Sequence, residues 1–176
     1  VNEEIKEKKF PWIAMIVYAV VVIGSELLRT YIIAAESLEG NKLNPEGLFL
    51  SGIIGIIISV IAAIIVLSIQ YAFTKFPTQW ISKEENVYKY DIWEALFYSG
   101  AIGIVLNLLL QFFDYQDNLV SLAVVSFITT GLFLLFYYSG EEKEKHIKKV
   151  ITIVQVAWLI LGLILNVVST MFSSSN

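Results

Sequence analysis

Apolar residues in this chain come in long unbroken runs rather than in the one-sided stripe of a water-facing helix, and short polar segments separate the runs. A helix apolar on all faces needs apolar surroundings on all faces. A hydrocarbon core of roughly 30 Å takes about 20 apolar residues in helical form. Five windows reach that length, spanning about residues 11–33, 48–73, 92–113, 119–138 and 147–172. The pattern predicts an all-α, polytopic membrane protein: one transmembrane domain over residues 1–176, a bundle of five transmembrane helices, and no soluble domain. Pro11 suits the first turn of a helix, where its missing N–H is not needed. The segment "EGNKLNPEG" has the Gly, Asn and Pro content of a turn and is expected to form the first loop.

Composition agrees with this pattern. Hydrophobic residues make up 57% of the chain and the mean hydropathy is +0.71, more than a soluble core of this size requires, so the surplus is expected to face lipid. The first run is longer than the apolar region of a signal peptide and ends in Glu26 and Arg29 without a small-residue cleavage pattern, so a retained membrane helix is expected. The chain begins at Val1 rather than Met, which is compatible with a longer native N-terminus.

The net charge of −4 hides an asymmetry that sets the expected orientation. Lys6, Lys8 and Lys9 precede the first window, Lys75, Lys83 and Lys89 lie between the second and third, and Lys143, Lys145, Lys148 and Lys149 between the fourth and fifth. The other side holds only Lys42; "DYQDN" and the tail "SSSN" have no lysine or arginine. Positive charge is retained on the cytoplasmic side, so the reading is N-terminus in and C-terminus out. Trp12, Trp80, Tyr88, Tyr90 and Trp93 near one boundary, and Phe112, Phe113, Tyr115 and Phe172 near the other, fit interfacial aromatic belts.

Polar residues inside the windows are the candidate functional groups. Glu26 and Arg29 in "SELLRTY" stand i, i+3, so they can meet on one helix face. On the third helix Gly100, Gly103, Asn107, Gln111 and Asp114 recur at steps of three and four, and on the fifth Gln155, Gly162, Asn166 and Ser169 form a comparable series. Glu26, Arg29, Asn107, Gln111 and Asn166 are the candidate polar cluster, lining an outward-facing pocket or bonding helix to helix. Both outcomes satisfy the pattern, since amides between membrane helices also serve association. Gly52, Gly55, Ser59 and Ala62 on the second helix, with Gly100, Gly103 and Gly162, have the small-residue spacing of close helix packing.

Other chemistries find little material. The chain has no cysteine, which excludes disulfides, thiolate catalysis and thiolate metal sites. His146 is the single histidine and stands in the mixed-charge loop "EEKEKHIKK" without a second imidazole, so no metal site is expected. No HExxH, GxSxG, Walker A or dinucleotide glycine motif occurs. Ser99 and Ser126 have no base near them in sequence. No enzyme activity, cofactor or nucleic-acid partner is expected.

Three passages resemble the Yip1-domain family of five-pass membrane proteins, including its bacterial members: "KKFPWIAMIVYAVVVIG", "AFTKF" through "DIWEALFYSGAIGIVLNLL", and "LFYYSGEEKEKHIKKVITI". In that family the third helix often opens with a short polar stretch and an aromatic–small step, as Tyr98 and Ser99 stand here. The cytosolic motifs of the eukaryotic members, such as "DLYGP", are absent, so no vesicle-trafficking role carries over. The resemblance implies a non-catalytic adaptor or scaffold that binds other membrane proteins, in bacteria as an accessory to a transporter or to envelope-stress handling. The cysteine-free, Ile- and Lys-rich composition fits a bacterium of low genomic GC content, and a bacterial cytoplasmic membrane is the expected location. The alternative, carried by the polar residues themselves, is a small-molecule or ion transporter, or its substrate-binding subunit, with a polar site in the outer half of the bilayer.

Overall fold

The computed structural model describes residues 9–39, 45–115, 118–140 and 142–173. Five helices make up the described fold: α1 (Trp12–Glu39), α2 (Pro45–Ser82), α3 (Lys89–Phe112), α4 (Leu119–Ser139) and α5 (Lys145–Ser173). All five are long and apolar enough to cross a membrane, which makes the chain a multi-pass membrane protein. Lys6, Lys8, Lys42, most of the first turn segment and the end of the tail lie outside the described residues, as do the side chains of Ser169 and Phe172.

The helix ends follow local chemistry. Met15 donates its N–H to the Pro11 carbonyl, so Pro11 caps α1 from just outside it. Asn118 caps α4, its side chain accepting the Val120 N–H at 2.9 Å. Beyond α3, Asp114 adopts φ 63°. Its N–H bonds to the Gln111 carbonyl, and that of Tyr115 to the Leu110 carbonyl. This is the paired closure of a helix C-terminus, with Asp standing in for the usual glycine. Asp114 therefore leaves the α3 face on which its spacing had placed it.

The second helix corrects the sequence reading most. It continues past Phe73 to Ser82 and carries Pro77 inside it. Its 38 residues are about 57 Å long at the helical rise. A proline in the interior removes one i→i−4 hydrogen bond, leaving the Phe73 carbonyl without its helical donor. The Trp158 indole of α5 donates to that carbonyl at 3.1 Å, so a neighbouring helix supplies what the proline withholds. Thr74, Thr78 and Ser82 follow one another at steps of four and are all buried. Thr78 returns its hydroxyl to the Thr74 carbonyl at 2.7 Å, which makes the hydroxyls tolerable in the interior. Lys75 is thus helical rather than part of a loop, with its ammonium near the Tyr71 and Phe76 rings.

Among the described residues α3 packs on α1, α2 and α4, while α5 packs on α2 and α4. Helices α2, α3, α4 and α5 form a ring with no close backbone approach across its diagonals, α2 to α4 and α3 to α5, among the described residues, and α1 lies outside it against α2 and α3. The buried core concentrates toward the lysine-rich end: Val87, Ile92, Ala95, Leu96 and Phe97 beside Phe133, Tyr137, Ile147, Val150 and Ile151. Trp93 stacks on Tyr71 at 4.4 Å and on Phe97 at 5.4 Å, tying α2 to α3 there. Toward the opposite end Val105, Leu109, Val120, Val124, Ile160, Ile164 and Leu165 are all exposed outside their helix contacts.

Candidate functional site

The lysine-rich end is closed by a buried ion pair. The Lys143 ammonium lies 2.6 Å from the Asp91 carboxylate, and both side chains are almost wholly buried. Asp91 occupies the first turn of α3, where the helix dipole favours a negative charge. The ammonium sits 5.0 Å from the Tyr88 ring centroid and 4.7 Å from that of Tyr137, whose π faces attract a cation. The Tyr137 hydroxyl donates to the Val87 carbonyl at 3.2 Å. Gly140 completes the enclosure, since a Cβ there would sit 2.5 Å from an Asp91 carboxylate oxygen. The α4–α5 connection is thereby fastened onto the start of α3. Sequence reasoning missed this pair: Lys143 reads as one of many loop lysines and Asp91 as a helix-end acid, and nothing in one-dimensional spacing marks which lysine is drawn inward.

Above that closure an open cleft of about 590 Å³ lies among the four ring helices, with Tyr18 of α1 also in its wall. Its polar lining comes from every ring helix: Gln70 and Thr74 of α2, Ser99 and Asn107 of α3, Ser126, Thr129 and Thr130 of α4, and Gln155 of α5. Apolar walls include Val66, Ile69, Phe73, Ile104, Trp158 and Leu159, and none of the described lining residues is charged. At the helical rise Thr74 lies about 12 Å along α2 from Ser82, and Asn107 about 27 Å along α3 from Lys89, so the cleft spans membrane depth.

Two classes of polar group line it. The Ser99, Ser126 and Thr129 hydroxyls donate to the carbonyls of Ala95, Leu122 and Val125 one turn back, at 2.6, 2.8 and 2.9 Å. They therefore present oxygen lone pairs to the cleft. The Gln155 amide donates to Thr74 Oγ1 at 2.9 Å and bridges α5 to α2. Gln70 and Asn107 differ, because neither side chain bonds to another described residue. Unpaired amides at membrane depth cost free energy unless water or a bound molecule supplies partners.

The sequence-derived candidates divide among three places. Arg29 Nη1 lies 3.1 Å from Glu26 Oε1, and Nη2 lies 3.4 Å from Gln111 Oε1, which links α1 to α3 directly. Asn107 is in the cleft wall, apart from that trio. Asn166 is half-buried on α5 and belongs to neither group. The glycines divide as well. Gly52 admits Thr30 of α1, where a Cβ would come within 2.7 Å of its methyl, and Gly103 admits Thr129 of α4 at 2.9 Å. Gly100 faces Tyr18 at 3.1 Å. A Cβ on Gly55 or Gly162 would meet nothing within 4 Å, and Gly162 lines the cleft instead of a helix contact. Ser59 is half-buried on α2. Among the described residues no group of three or more His, Cys, Asp or Glu stands close enough to hold a metal.

A second concavity, of about 790 Å³, runs along the far side of α2 beside Phe73, Phe76 and Trp80 and ends at Lys83, Glu84 and Glu85. Its apolar floor followed by charges matches a helix leaving hydrocarbon for the headgroup layer. Phe73 is common to this groove and the cleft. No family model, no curated protein and no solved structure matches the chain.

Proposed function

We propose that the chain is a non-catalytic membrane protein that binds a small uncharged molecule, polar or amphipathic, in the cleft between α2, α3, α4 and α5. The observation that carries this reading is the pair of amides, Gln70 and Asn107, that line the cleft without a partner among the described residues. Bound molecules or water complete such groups, and pockets of roughly 300–1,000 Å³ with a few placed polar groups are the usual form of a ligand site. The uncharged lining argues for an uncharged ligand, since a buried ion would find no countercharge there. The Ser99 and Ser126 hydroxyls are committed to helix carbonyls, which supports binding rather than nucleophilic chemistry.

In this reading the lysine-rich end faces the cytoplasm and the protein resides in a bacterial cytoplasmic membrane, as the lysine asymmetry and composition suggest. The adaptor role implied by the resemblance to Yip1-domain proteins is compatible with it, because a ligand-filled cleft can govern how a partner is bound. The test is a panel of small neutral polar compounds and neutral lipids, scored by thermal stabilisation of the protein in nanodiscs. Stabilisation of the wild type that disappears in the Gln70→Leu/Asn107→Leu variant is the expected result. A compound that stabilises both proteins equally, or a panel in which none stabilises the wild type, overturns the reading.

A further inference from the structure

We infer that the occupant of this cleft is a neutral bilayer lipid with a hydroxyl-bearing headgroup, which enters sideways between α2 and α5. This rests on the binding reading above and narrows it to a ligand class and a route. Four observations carry it.

The first is where the cleft is closed. At the lysine-rich end the Asp91–Lys143 pair and the aromatic rings of Tyr88 and Tyr137 fill the space below it.

The second is where it is open. Toward the lysine-rich end α2 is bonded to α5 through Thr74 to Gln155 and Phe73 to Trp158. Of the apolar residues that line the cleft, Val66, Ile69 and Phe73 of α2 and Trp158 of α5 are exposed, so the cleft opens at these two helices. An opening between two membrane-crossing helices gives onto lipid, and a rim of Val, Ile, Phe and Trp suits an acyl chain lying across it.

The third is the hydrogen-bonding inventory. The wall hydroxyls offer acceptors, while Gln70 and Asn107 offer both donors and acceptors. A headgroup with O–H donors satisfies both kinds. A phosphocholine brings no donor and a phosphate charge that the uncharged lining would leave uncompensated.

The fourth is size. A cleft of about 590 Å³ holds a glycerol-sized headgroup and the beginning of its chains, with the remainder passing over the apolar rim.

The experiment uses the full chain and native mass spectrometry, with dioleoylglycerol and dioleoylphosphatidylcholine supplied at equal concentration. The two probes share acyl chains and differ only in the headgroup. The expected result is a one-to-one dioleoylglycerol adduct in about tenfold excess over the phosphatidylcholine adduct, the factor that matching an otherwise unmade hydrogen bond supplies. That excess disappears in Gln70→Leu/Asn107→Leu. It also disappears in Gly162→Leu, which fills the cleft from a position with open space around it. Equal adducts in the wild type, or an excess that survives both variants, overturn the inference. Free glycerol as a third probe separates the lipid from the cleft itself. A glycerol-dependent stabilisation lost in the variants, without any lipid preference, refutes the lipid while leaving the cleft as a binding site; no occupant of either kind refutes both.

Discussion

The two ends of this bundle are built from the same kinds of helix and do opposite things with them. Toward the lysine-rich end α3, α4 and α5 bury large side chains against one another, the charged loops are drawn inward by Asp91 and Lys143, and aromatic rings fill the gaps. Toward the other end the buried core gives out, Asn107 and Gly162 line the cleft, and a Cβ on Gly162 would meet nothing within 4 Å. Helices in lipid gain little from hydrophobic burial, because lipid tails are as apolar as their side chains. Closure therefore has to come from polar and aromatic contacts. At the lysine-rich end such contacts shut the ring; above them a cleft remains.

Breaking the ion pair is the most damaging change expected. Asp91→Asn or Lys143→Met alone strands a buried charge and is expected to cost about 3–5 kcal/mol, read as loss of thermal stability in nanodiscs. The double replacement Asp91→Leu/Lys143→Met recovers much of that loss, because no charge then stays buried. If either single variant melts with the wild type, the closed end is not held in this way.

Next in size is Gly140→Ala, whose added methyl collides with the Asp91 carboxylate and is expected to cost about 1–3 kcal/mol. In the open half Gly162→Ala is the matched control. Its new methyl meets nothing within 4 Å, and the better helix propensity of alanine predicts no loss, or a gain of up to about 1 kcal/mol. Equal losses at the two glycines would erase the contrast between the ends.

A smaller effect tests the joint between the halves. Trp158→Phe removes the donor to the Phe73 carbonyl and is expected to cost about 1–2 kcal/mol. In a Pro77→Ala background the alanine N–H restores the helical bond to that carbonyl, so Trp158→Phe should then cost distinctly less. A double-mutant cycle without coupling would sever the proposed link between Pro77 and Trp158.

How much of this the sequence carried depends on which physical signal was involved. The membrane class and the number of helices were legible, since runs of that length, apolar on every face, suit a lipid environment and little else. The end of α2 was not, because Thr74, Lys75, Pro77 and Thr78 read as a loop when considered one by one. The contacts that place this stretch inside come from α5 some eighty residues away, Gln155 to Thr74 and Trp158 to the Phe73 carbonyl. Spacing on α3 identified Asn107 and Gln111, yet a stripe cannot tell that one lines a cleft while the other meets Arg29. The hydroxyls of Thr129 and Thr130 and the amide of Gln70 went unnoticed because each is unremarkable on its own helix, and only the ring brings them together.

The contrast between the closed and open halves is tested most directly by disulfide cross-linking along the α2–α5 seam. The chain has no cysteine of its own, so only introduced pairs can react. Thr74→Cys/Gln155→Cys replaces two side chains that already touch, and Val66→Cys/Gly162→Cys, at two positions of the cleft wall, lies about two turns farther along the same antiparallel seam. Rapid oxidation of the first pair in membranes, and none of the second, is the predicted result. Cross-linking of both pairs at similar rates would mean that α2 and α5 pack together along their whole length, and the cleft on which the functional reading depends would not exist.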